Sequence, residues 1–398
     1  MEIPWTPLSV PDRWCVHAYY SLCPYAPDGS GRILVAGADL EAGRGEVLVL
    51  SGDGQVLDRF GSVPLQTAFY HTGLWQTWSP DAQAVYYQSG SLSEPAITRR
   101  CLRTGTERTM RGDMEGAPPH GEPIVSGLMG MLYAAGYGGG GYRPDQAPAP
   151  FADRSAHGLF EYSLESGTSE LQCSVAGILD RHPRRDWLRS VDRDVAARLG
   201  ADEGATLMAY CVRWNRDGSR CLFYFGNHCV DGSRGEPRIA FIMTTNRAMD
   251  EFHVALDLCG KPGDHWSWQP DGETLIGNGP DPESGQVCLA EVRFDGSEYR
   301  KLVDRPGGGH PSVSPKDPDL IVTDCSLDGG GAIQFYSRRS RRELARLPLP
   351  KFSPSGQLPG RNPSWVCHHP VFDRTGDRVL CNHLPGPHAA VGEILLPF

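Results

Sequence analysis

A short motif recurs along the chain: an aromatic or apolar residue, two residues of Ser, Pro or Asn type, then Asp-Gly or a near equivalent. It reads YAPDG at Tyr25–Gly29, WSPDA at Trp78–Ala82, WNRDG at Trp214–Gly218 and WQPDG at Trp268–Gly272. Looser copies are VSPKD at Val313–Asp317 and FDRTGD at Phe372–Asp377. Pro ahead of Asp-Gly is hairpin chemistry, because Pro presets φ and Gly accepts the left-handed conformation. The copies stand about 45 to 60 residues apart, save for one long gap between Trp78 and Trp214. Repetition at that period points to an array of supersecondary units.

Each turn is followed by three apolar runs. The first unit has ILVAGADL, EVLVLSG and GQVLDRF; a later one has RCLFYFGNH, RIAFIMTT and FHVALDL. With the strand before the turn, every unit has four strands, the make-up of a propeller blade. The long gap holds one degenerate blade, read as EPIVSG, GMLYAAGYG, GLFEYSL and SELQCSV. A helical insertion at about 180–205 follows it. The expected fold is therefore all-β: a seven-bladed propeller in one domain, residues 1–398, with four-stranded blades. The N-terminal segment is expected to supply the last blade's outer strand. Two stacked β-sandwiches are the alternative, and the regular spacing disfavours them.

Composition narrows the function. Gly 48 and Pro 33 suit many short strands and turns. A formal net charge of −10 disfavours nucleic-acid binding, which calls for a basic surface. The twelve cysteines contain no CxxC, and most of them read as buried thiols. No basic, apolar leader is visible at the start, so the chain as written reads as cytoplasmic, or as exported if a leader has been removed. No apolar run is long enough to span a membrane. A monomer is expected.

The residue three positions before each anchor is chemically distinctive. It is Cys211 in the fourth blade, His265 in the fifth, His310 in the sixth and His369 in the seventh. Equivalent positions on inner strands converge on the channel at one depth. Three imidazoles and a thiol suit a divalent metal, zinc first, with manganese and calcium as alternatives. His368, one residue off, is expected to face away.

The order of motifs also resembles the seven-bladed propeller polysaccharide lyases, the ulvan-lyase-like families above all and oligogalacturonate lyase more distantly. The segments that carry the resemblance are AYYSLCPYAPDG, GLWQTWSPD, IVSGLMGMLYAAGYGGGGYRP, HGLFEYSLESG, VRWNRDGSRCLFYFGNH, GDHWSW, GGGHPSVSPKDPDLIVTDC and CHHPVFDRTGDRVLCNH. It implies β-elimination next to a uronic acid in an acidic oligo- or polysaccharide. One group neutralises the carboxylate, a His or Tyr takes the C5 proton, and a Tyr or His protonates the leaving oxygen. The same resemblance implies His71, Tyr137 and Tyr142 as catalytic residues, with Arg143 or Arg154 as the arginine that neutralises the carboxylate. Asn227 and His228 stand where relatives carry a His-Arg-Trp-like stretch, and Cys211 where they often carry histidine. Trp75 and Gln76 are candidates for sugar contact. The alternatives are a non-catalytic binding or scaffold propeller and a glycan hydrolase on the same fold. No GxSxG elbow is present for a serine hydrolase.

Overall fold

The computed structural model describes residues 5–8, 10, 13–65, 69–91, 94–127, 149–228, 232–304, 309–327, 330–350, 366–384 and 389–396. They form seven antiparallel sheets, the blades of a seven-bladed β-propeller. Six sheets have four strands. In the seventh blade the strand Trp5–Leu8 pairs with Ala390–Leu395, Trp5 opposite Ile394 and Leu8 opposite Val391. The ring is thus closed by the N-terminal segment, and Leu8 sits in an apolar cluster with residues of blades one and seven.

The blades grade from apolar to polar outward. Second strands such as Ile33–Asp39 and Arg220–Gly226 are buried almost throughout, since both faces meet neighbouring blades. An outer strand such as Glu107–Arg111 is largely exposed and polar. The recurring motif makes the turn between first and second strands. In five copies the residue at the Gly position has positive φ: Gly29 at +74°, Ala82 at +56°, Gly218 at +71°, Gly272 at +73° and Gly376 at +80°. The Asp carboxylate accepts a backbone N–H two residues on, as in Asp81 with Gln83 at 3.0 Å and Asp217 with Ser219 at 2.9 Å. That explains why the motif keeps Asp beside Gly.

Blade three differs from the sequence expectation. Ile124–Ser126, the core of EPIVSG, pairs directly with Gly158–Ser163, which pairs with Thr168–Ser174. EPIVSG is therefore the second strand, and GMLYAAGYG lies outside the described residues. Pro118–Gly121 repeats the propeller turn, with Gly121 N–H donating to the Pro118 carbonyl at 2.9 Å and φ +84°. Its PPHG sequence lacks the Asp and the aromatic residue, which hid it. The irregular, buried segment Asp113–Ala117 fills the inner position. Two helices, Val175–Arg181 and Arg185–Leu199, follow the blade. No helix among the described residues is long and apolar enough to cross a membrane.

Candidate metal and substrate site at the propeller axis

A backbone device repeats where the inner strands pass the axis. Tyr210 pairs with Tyr224 but Arg213 with Leu222, and Asp264 pairs with Asn278 but Ser267 with Ile276. Three steps face two, so each inner strand carries one extra residue, a β-bulge. Four residues of the column have left-handed backbones, Trp75 at φ +53°, Cys211 at +57°, His265 at +55° and His369 at +46°, whereas His310 in blade six does not. Such conformations are rare for residues other than Gly and mark positions that the surroundings hold in place.

The imidazoles form a row. Ring centroids are 4.1 Å apart for His265–His310, 4.2 Å for His310–His369 and 4.8 Å for His71–His369. His71, His310 and His369 each offer a ligand atom, and these atoms lie within 4.8 Å of one another. Both ring nitrogens of His369 and Nε2 of His310 are buried without a hydrogen-bond partner among the described residues. Unpaired buried polar atoms are costly and call for an explanation. Asp324 orients His310: its carboxylate oxygens both lie 3.0 Å from Nδ1. Donation from Nδ1–H leaves the Nε2 lone pair free, the arrangement that metal-binding histidines adopt. Burial alone would raise Asp324, but the adjoining His310 holds its carboxyl below the usual range. On the other side His71 Nδ1 lies 3.0 Å from Cys367 Sγ. The donor set fits a divalent transition metal.

Of the four column residues expected as ligands, His310 and His369 belong to this close-set group. Among the described residues neither Cys211 nor His265 belongs to the close-set group, and His71, expected as catalytic, does. His265 ends the row; its side chain is 26% exposed and its Nδ1 is 3.2 Å from Asp264 Oδ1, off the hydrogen-bonding direction. Cys211 is carried by blade four, beside the Tyr19–Tyr20–Arg213 group. His368 does turn away, bonding the Asn382 carbonyl through Nδ1 at 2.8 Å.

Three functional candidates escaped the sequence reading. Between Val16 and the Tyr25–Ile33 bridge, blade one's inner strand makes an excursion that brings Tyr19 and Tyr20 to the axis. The Tyr19 ring lies 4.7 Å from His369 and 5.1 Å from His71, and Tyr20 lies 5.1 Å from His310. The third is Arg213, only 6% exposed. It donates to Tyr20 Oη at 2.9 Å, to Tyr19 Oη at 3.1 Å and to the Trp266 carbonyl. Its guanidinium lies over the Tyr19, Tyr20 and Tyr224 rings. No ion pair to it is found among the described residues. The position before each anchor is Thr77, Arg213, Ser267, Ser312 or Val371, so a lone Arg in a column of small residues was the available signal.

The remaining candidates are placed as follows. Trp75 is buried against Tyr19, centroids 5.4 Å apart, and forms the wall. Gln76 is committed to backbone, accepting from Leu74 N–H at 2.9 Å and donating to the Val16 carbonyl at 3.2 Å, which ties blade two to blade one. Asn227 is likewise used up on Glu236, Pro237 and Ile239. His228 bonds Tyr210 Oη through Nδ1 at 2.6 Å and stacks on Tyr224. Arg154 is not at the site: it forms a two-pronged pair with Asp192 at 2.6 and 2.7 Å and donates to the Ala205 carbonyl, fastening the helical insertion. Tyr137, Tyr142 and Arg143 lie outside the described residues.

Two consequences can be measured. Arg154→Ala should cost about 2 kcal/mol, less than the about 3–5 kcal/mol of a fully buried pair because both partners are partly exposed, and should leave metal affinity unchanged. Thermal unfolding and metal titration of the variant check this; weakened metal binding would contradict the placement. The second is acid sensitivity. Burial pulls His17, His182, His310 and His383 from the ordinary 6.5 down to about 4, and His228 to about 3. The unfolded chain then takes up protons before the folded one. Metal-free stability should be flat above about pH 7 and fall between about pH 6.5 and 4, each group adding a slope of up to about 1.4 kcal/mol per pH unit. A melting temperature constant down to pH 4.5 would refute it.

The fold is similar to that of an oligogalacturonate lyase from Vibrio parahaemolyticus. The TM-score is 0.66 at 16% identity, covering 100% of this chain and 94% of that one. An oligogalacturonate lyase in complex with manganese matches equally, with TM-score 0.66, 17% identity and coverage of 99% and 93%. A prolyl endopeptidase matches with TM-score 0.54 at 8% identity, over 97% of this chain and 50% of that one. At these identities the likeness shows the fold. No protein-family model matches the chain, and no curated protein does.

Proposed function

We propose that the protein is a lyase that cleaves uronate-containing oligosaccharides by β-elimination, with a divalent metal held by His71, His310 and His369. The observation that carries this reading is the pairing of orphaned, buried imidazole nitrogens with a buried guanidinium that has no carboxylate partner among the described residues. A site built to hold a cation beside an unpaired Arg suits an anionic ligand, and a uronate carboxylate is the simplest one. The fold shared with oligogalacturonate lyases, one of them a manganese complex, supports the same reading. Oligogalacturonate and ulvan-type uronates are the substrates to test, and manganese and zinc the ions.

The chain's residues divide the work. Arg213 binds the carboxylate and spreads its charge, which makes the neighbouring C5–H acidic. When bound, the ion adds Lewis-acid polarisation of the same group. His265, which lies next to Asp264 and is the most accessible imidazole of the row, takes the C5 proton. The C–H electron pair becomes the C4–C5 double bond, the C4–O bond breaks, and a phenol protonates the departing oxygen. Burial raises both Tyr19 and Tyr20 well above the ordinary phenol value, so they stay protonated and act as donors.

The test is absorbance of unsaturated uronates on incubation with a panel of uronate glycans and either ion. A rise that chelator abolishes supports elimination. Silence across oligogalacturonate, ulvan and glycosaminoglycan substrates would refute it.

A further inference from the structure

A bulge removes ladder partners from buried N–H groups, and each must be satisfied elsewhere. In blade five the Tyr224 phenol takes the Trp266 N–H at 2.8 Å. In blade six the Asp324 carboxylate takes the His310 N–H at 2.7 Å. In blade four a single side chain takes two: Glu115 Oε1 accepts from Cys211 N–H and Oε2 from Val212 N–H, both at 2.7 Å. Glu115 comes from the irregular inner segment of blade three and is 3% exposed. The peptides it grips lie just before Arg213, at the strained Cys211.

Two features make this more than a structural tie. A carboxylate can accept from both peptides at once, whereas a phenol satisfies one. It also sits within electrostatic reach of Arg213 without pairing to it, while burial raises its pKa above the ordinary carboxylate value. Neither Glu115 nor Arg213 forms an ion pair among the described residues. Part of the guanidinium's fan of donors stays uncommitted: three N–H groups serve Tyr19, Tyr20 and Trp266, out of the five a guanidinium carries.

We infer that Glu115 is a positioning residue for Arg213: by clamping the Cys211 and Val212 peptides it holds the bulge that aims the guanidinium at the axis, ready for a substrate carboxylate. The ligand named here rests on the uronate reading above, whereas the clamp itself does not. The His71, His310 and His369 set is carried by blades two, six and seven, so the clamp leaves the metal untouched.

The experiment compares Glu115→Ala, Glu115→Gln and Arg213→Lys with the parent in the full chain. Selective ¹⁵N-arginine NMR reads the guanidinium directly. A restricted resonance that vanishes in Arg213→Lys is expected in the parent, motionally averaged in Glu115→Ala and partly kept in Glu115→Gln. Manganese affinity should stay within about twofold throughout, while galacturonate affinity falls about 10–100-fold in Glu115→Ala, the range typical of lost orienting partners. Combining Glu115→Ala with Arg213→Lys should add little further loss. An unchanged Arg213 resonance in Glu115→Ala overturns the clamp, and so does full galacturonate affinity in that variant beside a loss in Arg213→Lys. Should Glu115→Ala fail to fold, the Gln variant carries the same comparison. If the parent binds no galacturonate yet its Arg213 signal is released in Glu115→Ala, the clamp stands and the uronate reading falls.

Discussion

His369→Leu is expected to abolish tight metal binding while leaving the metal-free fold as stable as the parent or more so. His369 lies at the centre of the imidazole row, between His310 and His71. Removing it should weaken metal affinity by more than the about 10–100-fold that loss of an orienting partner alone costs. The stability half of the expectation is the sharper one. Both His369 nitrogens are buried without a partner among the described residues, and an unsatisfied buried polar group costs about 1–3 kcal/mol. Alanine removes that penalty but leaves a cavity, so His369→Leu, which refills much of the space, should melt higher than the metal-free parent. Titration calorimetry with manganese or zinc, and melts with and without chelator, test both halves. A metal-free His369→Leu protein much less stable than the parent would mean that the ring packs for structure and is not held for a ligand.

Arg213→Lys should cut kcat/KM on a uronate substrate by about 10²–10³-fold, the loss typical when one preorganised charge-stabilising donor is removed. Lysine keeps the charge but loses the planar fork that bonds Tyr19, Tyr20 and the Trp266 carbonyl together. Metal affinity should hold, because among the described residues Arg213 bonds none of the three histidines proposed to hold the ion. Steady-state kinetics together with manganese titration separate the two effects. Unchanged turnover in a folded Arg213→Lys protein would remove Arg213 from the chemistry and return the carboxylate to the metal alone.

The propeller was legible because its turn chemistry is local. Asp-Gly hairpins and an anchor aromatic write the blade period into the sequence, and even ring closure by the N-terminal segment follows from a missing outer strand. Blade three misled because PPHG makes the same turn without Asp or aromatic, and because its inner segment pairs with no ladder. At the site, the column picked out His310 and His369 through their shared register. It could not rank His265 and Cys211 against His71, since sequence register gives depth along the axis but not distance across it. Arg213, Tyr19 and Tyr20 were missed for a related reason. Tyr19 and Tyr20 ride on an excursion between strand and anchor, and Arg213 points inward only because the bulge at Cys211 turns the chain. Arg154 was drawn in by likeness alone, and its bond to Asp192 spans 38 residues that the motif pattern does not connect.

The most direct test of the account is an anomalous diffraction map from crystals grown with manganese. One strong peak is predicted within coordination reach of an imidazole nitrogen of each of His71, His310 and His369. A peak elsewhere, or none at the axis while the three rings keep their places, would contradict it.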